Sequence, residues 1–184
     1  NKLAVQVGLM EQNSKLVVCG ATANKVFLDH IEKWSYAADF EGIKLRFIWG
    51  NAAIHSSVLM RSDILKIHGL NYDKSLNQAE DYRLYTELIK HGEMMNYDDA
   101  LIEYYVHENQ LTSTKKSEQV DDAILTGYNF LVGLGIPLSQ AFVTAYGKVF
   151  SYAFQLNANE FKELICGFVT IIDWNRRESY FEVA

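Results

Sequence analysis

The chain has 184 residues, 49% of them hydrophobic and 13% aromatic, which is enough to build a substantial core and sets it apart from disordered segments. A formal charge of −6 and a pI near 5.3 argue against a dedicated nucleic-acid binder, which usually carries a basic face. Cys19 and Cys166 lie far apart and read as reduced thiols of a cytoplasmic protein, and no apolar run reaches the roughly 18–20 residues of a membrane span.

The first residue is Asn1, with no Met and no leader, so the sequence reads as a piece of a longer protein. Lys2 to Gln12 carries Leu3, Val7 and Met10 at helical spacing and predicts an amphipathic helix. Leu16 to Cys19 then reads as a buried strand closed by Gly20, and Val26 to Ile31 as a second short strand. Residues 32–48 read as irregular, with a helix around Ile43 to Trp49. Ser57 to Met60 predicts a strand, and Ser62 an N-cap for a short helix through Ile67, ended by Gly69.

The next helix, about Ala79 to His91 with Gly92 as its stop, carries the adjacent carboxylates Glu80 and Asp81 in its first turn. Leu84 and Leu88 bury one face behind them, so the acidic pair stands at the mouth of a loop. A carboxylate held there is a ready general base, although acidic residues also favour a helix N-terminus simply by offsetting its dipole. Met94 to Tyr97 and Leu101 to Val106 read as strands around an Asp98-Asp99 turn.

From about Lys115 the pattern becomes helical. Val120, Ile124, Tyr128 and Leu131 form one stripe, Pro137 suits a first helical turn, and helices follow over about Leu138 to Leu156 and Glu160 to Trp174. The fold class is therefore α/β, with residues 1–112 as a mixed sheet with flanking helices and residues 113–184 as a helical C-terminal extension.

A second polar group, Asn51, His55, Ser56, Ser57 and Arg61, surrounds the apolar Val58-Leu59-Met60. It reads either as an ordinary loop-to-strand entry or as an acceptor or diphosphate contact beside the carboxylates. His107 ends a strand, and no His-Glu-x-x-His or Cys-x-x-Cys accompanies it, so a self-contained zinc site is not expected. No glycine-rich phosphate loop and no nucleophile elbow occurs.

Taken in order, these segments resemble the second half of a family 2 glycosyltransferase with the GT-A fold. Leu3, Gln6, Val7, Leu9-Met10-Glu11, Asn13 and Val17 to Gly20 resemble the helix after the family's metal-binding Asp-x-Asp and the strand that follows it. His55 to Arg61 resembles its His-x-Ser-Val-x-x-Arg strand, and Gly69 to Asp73 its Gly-x-x-Tyr-Asp loop. Ala79-Glu80-Asp81-Tyr82 with Leu84 and Gly92 resembles the acidic helix. Leu101, Tyr104 and His107 resemble the closing Leu-x-x-Tyr-Arg-x-His, with Tyr105 in place of the usual arginine.

The resemblance covers residues 1–112 and implies a partial GT-A-like sheet whose nucleotide-binding half precedes Asn1, since no Asp-x-Asp occurs in the chain. It implies inverting transfer of a sugar from a nucleotide-sugar donor to the hydroxyl of a glycan or lipid-linked acceptor, as in cell-envelope polysaccharide biosynthesis. Asp81 would be the general base, with Glu80 orienting the site. Asn51, His55, Ser57, Arg61 and Tyr82 would contact substrate, and His107 would lie near the metal. Mg²⁺ or Mn²⁺ would neutralise the leaving diphosphate, its main ligands lying in the preceding half.

The implied location is the cytoplasm or the inner face of the membrane, where a peripheral contact has room. Self-association of this piece through an open sheet edge is also expected. The rival reading is a non-catalytic helical interaction module in which Glu80 and Asp81 merely support a helix start. A coding frame with an upstream α/β segment ending in Asp-x-Asp separates the two.

Overall fold

The computed structural model describes residues 1–76, 79–106, 116–150 and 155–182. In chain order the elements are α1 (Lys2–Gln12), β1 (Leu16–Val26), β2 (Ile31–Trp34), α2 (Phe40–Arg46), a 3-10 turn (His55–Ser57), β3 (Leu59–Met60), α3 (Ser62–Ile67), α4 (Glu80–Leu88), β4 (Glu93–Tyr105), α5 (Lys116–Gly133), α6 (Gln140–Phe150) and α7 (Ala158–Glu178).

β1 is the spine of a mixed sheet. β4 pairs with it in parallel along its length, while β3 pairs antiparallel at Val18–Met60 and Cys19–Leu59, and β2 antiparallel from Ala23–Trp34 to Val26–Ile31. The first eight residues of β1 are all buried, which is why this segment is a continuous apolar run rather than an alternating one. Gly20 does not close the strand, as its type suggests, but continues it. A side chain there would collide with the Asn96 amide, which donates to the carbonyls of Ala37 (2.7 Å) and Ala52 (2.9 Å). Asn96 thereby ties two loops over the sheet, one of them carrying Asn51.

Several element boundaries differ from those expected of the sequence. Val26 and Ile31 are not one strand; they are the last and first residues of β1 and β2, joined by a hairpin in which Phe27 N donates to His30 O (2.9 Å). Helix α2 starts earlier than its apolar residues indicate, because Asp39 caps it by accepting from Gly42 N at 2.8 Å. Ser57 belongs to the 3-10 turn, and Ser62 is the first helical residue of α3, with Arg61 at the cap position and no capping side chain. Asp98 and Asp99 make no turn. They sit in the register shift between Ala21–Tyr97 and Thr22–Ala100, a bulge in one continuous strand, because β1 pairs with β4 on both sides of it.

The helical half packs into the same core as the sheet. One buried cluster runs from Val17 and Met94 through Tyr82, Tyr85 and Leu88 of α4 to Phe130, Leu131, Phe142, Ile171 and Trp174. Helix α7 opens with a reciprocal Asn157–Glu160 capping box and stops at Ser179, whose backbone is left-handed (φ 51°). Its outer face leaves Phe161, Ile165, Val169 and Ile172 exposed.

The boundary expected at residues 112–113 lies outside the described residues. Among the described residues β3 pairs with β1 alone, and a groove lined by Val7, Met10, Leu59 and Met60 lies against it. No helix of the described residues is long and apolar enough to cross a membrane.

Candidate functional site

The anchoring of α2 determines where Asn51 sits. The Tyr82 hydroxyl of α4 donates to Phe47 O, and the Tyr146 hydroxyl of α6 to Ile48 O, so two buried phenols hold the carbonyls just beyond α2. The Tyr82 ring also stacks on Phe47, with centroids 5.6 Å apart. Residues 49–54 leave that anchor and turn back under Asn96, which presents Asn51 to the start of α4. Asn51 Oδ1 accepts from Ala53 N (3.2 Å), which fixes the amide so that Nδ2 faces the carboxylate.

Asp81 is the second residue of α4, a helix with no capping side chain at Ala79. Its Oδ1 accepts from Tyr82 N (2.7 Å) and its Oδ2 from Asn51 Nδ2 (2.7 Å). His55 Nδ1 lies 3.6 Å from Oδ2 and 2.9 Å from the hydroxyl of Tyr85. The Asp81 side chain keeps 18% of its surface accessible and the His55 ring 55%, so the carboxylate lies behind an imidazole that faces outward. The Tyr72 ring meets His55 edge-on at 5.9 Å.

The place of Asp81 at a helix N-terminus favours its ionised form, and burial opposes this. Burial pushes its carboxyl above its ordinary value. The Tyr82 amide, the His55 charge and the Asn51 amide pull it down, but less strongly, and neighbouring Glu80 adds repulsion. One oxygen of Glu80, Oε2, is buried with no hydrogen-bond partner among the described residues.

The structure thus brings Asn51, His55, Glu80 and Asp81 together and turns three other candidates elsewhere. Ser57 is buried, with Oγ donating to Ile54 O (2.7 Å) and accepting from Ala21 N (3.0 Å) where the short β3 stops supplying β1 with partners. Arg61 donates to Leu16 O (2.8 Å), Met10 O and Asn13 O (3.3 Å), tying the end of α1 to the start of β1. Tyr82 is a core residue, 1% exposed. His107 lies outside the described residues.

Two groups near the carboxylate carry no motif in the sequence. Tyr36 is largely buried and feels the charge of Asp81, and Arg46 stands 5.6 Å over the Tyr36 ring while donating to Asn51 O (3.3 Å). Tyr36 comes from the stretch that reads as irregular and Arg46 from the helix expected around Ile43 to Trp49, and only the fold places them here. Among the described residues no group of three or more His, Cys, Asp or Glu side chains could hold a metal ion. These residues therefore do not by themselves make a cation site.

No family model matches the chain. It is similar to an uncharacterized glycosyltransferase of Haemophilus influenzae, 30% identical over a 91-residue alignment that covers 41% of this chain and 28% of that protein. The matched part thus corresponds to less than a third of the length of that relative.

Proposed function

We propose that the chain is the acceptor-side portion of an inverting family 2 glycosyltransferase that moves a sugar from a nucleotide-activated donor to an acceptor hydroxyl. The observation that carries this reading is Asp81: a carboxylate oriented at both oxygens by fixed N–H donors, partly open, and flanked by an outward-facing imidazole. The similarity to a protein named as a glycosyltransferase, and the ordered series of segments from α1 to β4, support it.

In the proposed step the acceptor O–H passes its proton to Asp81 as the oxygen attacks the anomeric carbon. The bond from that carbon to the diphosphate oxygen breaks on the opposite face, and the nucleoside diphosphate leaves with the electron pair. A carboxyl lifted by burial is a stronger base than an exposed one, which suits proton removal from an alcohol. Asn51 and the Tyr82 amide hold the carboxylate in place, and Tyr72 and His55 line the approach.

A divalent cation would supply charge neutralisation of the diphosphate, with ligands beyond the described residues. Cell-envelope glycans or lipid-linked sugars are the proposed acceptors, at the cytoplasmic face of the membrane. The test is release of nucleoside diphosphate by the full-length protein over a panel of nucleotide sugars, native against Asp81→Asn. Near-native turnover of the variant would remove Asp81 from the mechanism.

A further inference from the structure

The Tyr85 hydroxyl lies behind the candidate site, and the residue is fully buried in the core. A phenol of this kind stays protonated at neutral pH, and burying its O–H without an acceptor would cost about 1–3 kcal/mol. Its hydrogen-bond partner is His55 Nδ1, 2.9 Å away. Tyr85 therefore donates and Nδ1 accepts, which puts the proton of the neutral imidazole on Nε2.

Two consequences follow for the carboxylate. An Nδ1 that accepts from Tyr85 has no proton to give Asp81, whose Oδ2 at 3.6 Å is in any case beyond hydrogen-bond length. That oxygen thus keeps Asn51 as its side-chain donor and retains a lone pair for an incoming proton. The other ring nitrogen then carries the N–H of a half-exposed imidazole that has the Tyr72 edge beside it.

We propose that Tyr85 is a positioning residue that fixes the neutral imidazole of His55 as the Nε2–H tautomer, so that Nε2–H is the group presented to an oxygen of a sugar hydroxyl or ring bound beside Asp81. Naming a sugar as the ligand rests on the function proposed above, whereas the tautomer assignment rests on geometry alone.

Nitrogen-15 NMR of the imidazoles in the 184-residue chain, at a pH where the ring is neutral, reads the tautomer directly. The expected result is a protonated Nε2 in the native chain and a mixture of tautomers in Tyr85→Phe, with backbone amide spectra confirming the same fold. A protonated Nδ1 in the native chain, or an unchanged tautomer in Tyr85→Phe, would overturn the proposal. Should Tyr85→Phe fail to fold, the native spectrum decides alone.

In the full-length protein Tyr85→Phe should raise the acceptor KM about threefold to tenfold with little change in kcat, as expected for one weakened hydrogen bond. His55→Gln, which offers an amide N–H near the Nε2 position, should stay closer to native than His55→Ala. An acceptor KM that does not move in Tyr85→Phe, or equal losses in Gln and Ala, would refute the donor role. A confirmed tautomer in a protein that transfers no sugar would set aside the glycosyltransferase reading and leave the assignment standing.

Discussion

Residues 55–61 serve two regions whose polar side chains do opposite work. At one end His55 faces outward over Asp81, and its partners leave that carboxylate partly open. At the other end Ser57 and Arg61, joined by buried Gln6, donate to backbone carbonyls of α1, β1 and the 3-10 turn. Both regions are polar and both are partly or wholly buried. The difference lies in the donors: those of Gln6, Ser57 and Arg61 go to backbone carbonyls, with Gln6 Oε1 left buried and unpartnered, whereas the Asp81 region keeps an accessible carboxylate edge and a half-exposed ring. A polar residue with its donors used up by the fold is structural, and one with accessible capacity left over is available to a ligand.

The sharpest way to break this contrast is Asp81→Asn. Transfer by the full-length protein should fall about 10²–10⁴-fold, the usual worth of a positioned general base. The fold should be retained, and its stability should gain. Because burial raises the Asp81 carboxyl, the folded state favours its protonated form. That contribution to stability is fully present below the unfolded-state value and is lost as pH rises through the folded one. The Asn variant cannot ionise, so its Tm advantage over the native chain should widen from acidic towards neutral pH. A Tm difference that is flat or shrinks over that range would contradict the burial argument.

Arg61→Ala should do the reverse. Losing three charge-assisted contacts to carbonyls should cost about 2–3 kcal/mol in denaturant unfolding while leaving turnover per folded molecule unchanged. A selective loss of donor affinity at native stability would return Arg61 to the list of substrate contacts.

Gly167→Ala examines the core shared by the two halves, since the Phe142 ring lies directly against Gly167. Overpacking there should cost about 1–3 kcal/mol and appear as one cooperative transition that includes the sheet. Separate melting of sheet and helices would show that the halves are independent. The smallest effect belongs to Tyr82→Phe, about 1 kcal/mol from the lost bond to Phe47 O, with no change in substrate affinity. An affinity change there would contradict its place in the core.

The amino-acid order was sufficient for features governed by near neighbours. Helix α1 has the bounds expected from Lys2 to Gln12, although of the apolar stripe only Met10 is buried, beside Gln6, while Leu3 and Val7 are exposed; Glu80 and Asp81 fall in the first turn of α4 as their position before Leu84 and Leu88 requires. Tertiary structure decided the rest, because the relevant partners are distant in the chain. Asn51 reaches across 30 residues to Asp81, Arg61 reaches back 51 to Met10, and β4 holds Asp98 and Asp99 in a bulge because β1 pairs on both sides of them. The proton affinity of Asp81 belongs to the same class. Desolvation is set by everything packed around a group, so a helix start could suggest an ionised carboxylate, and only the fold could raise its affinity for a proton.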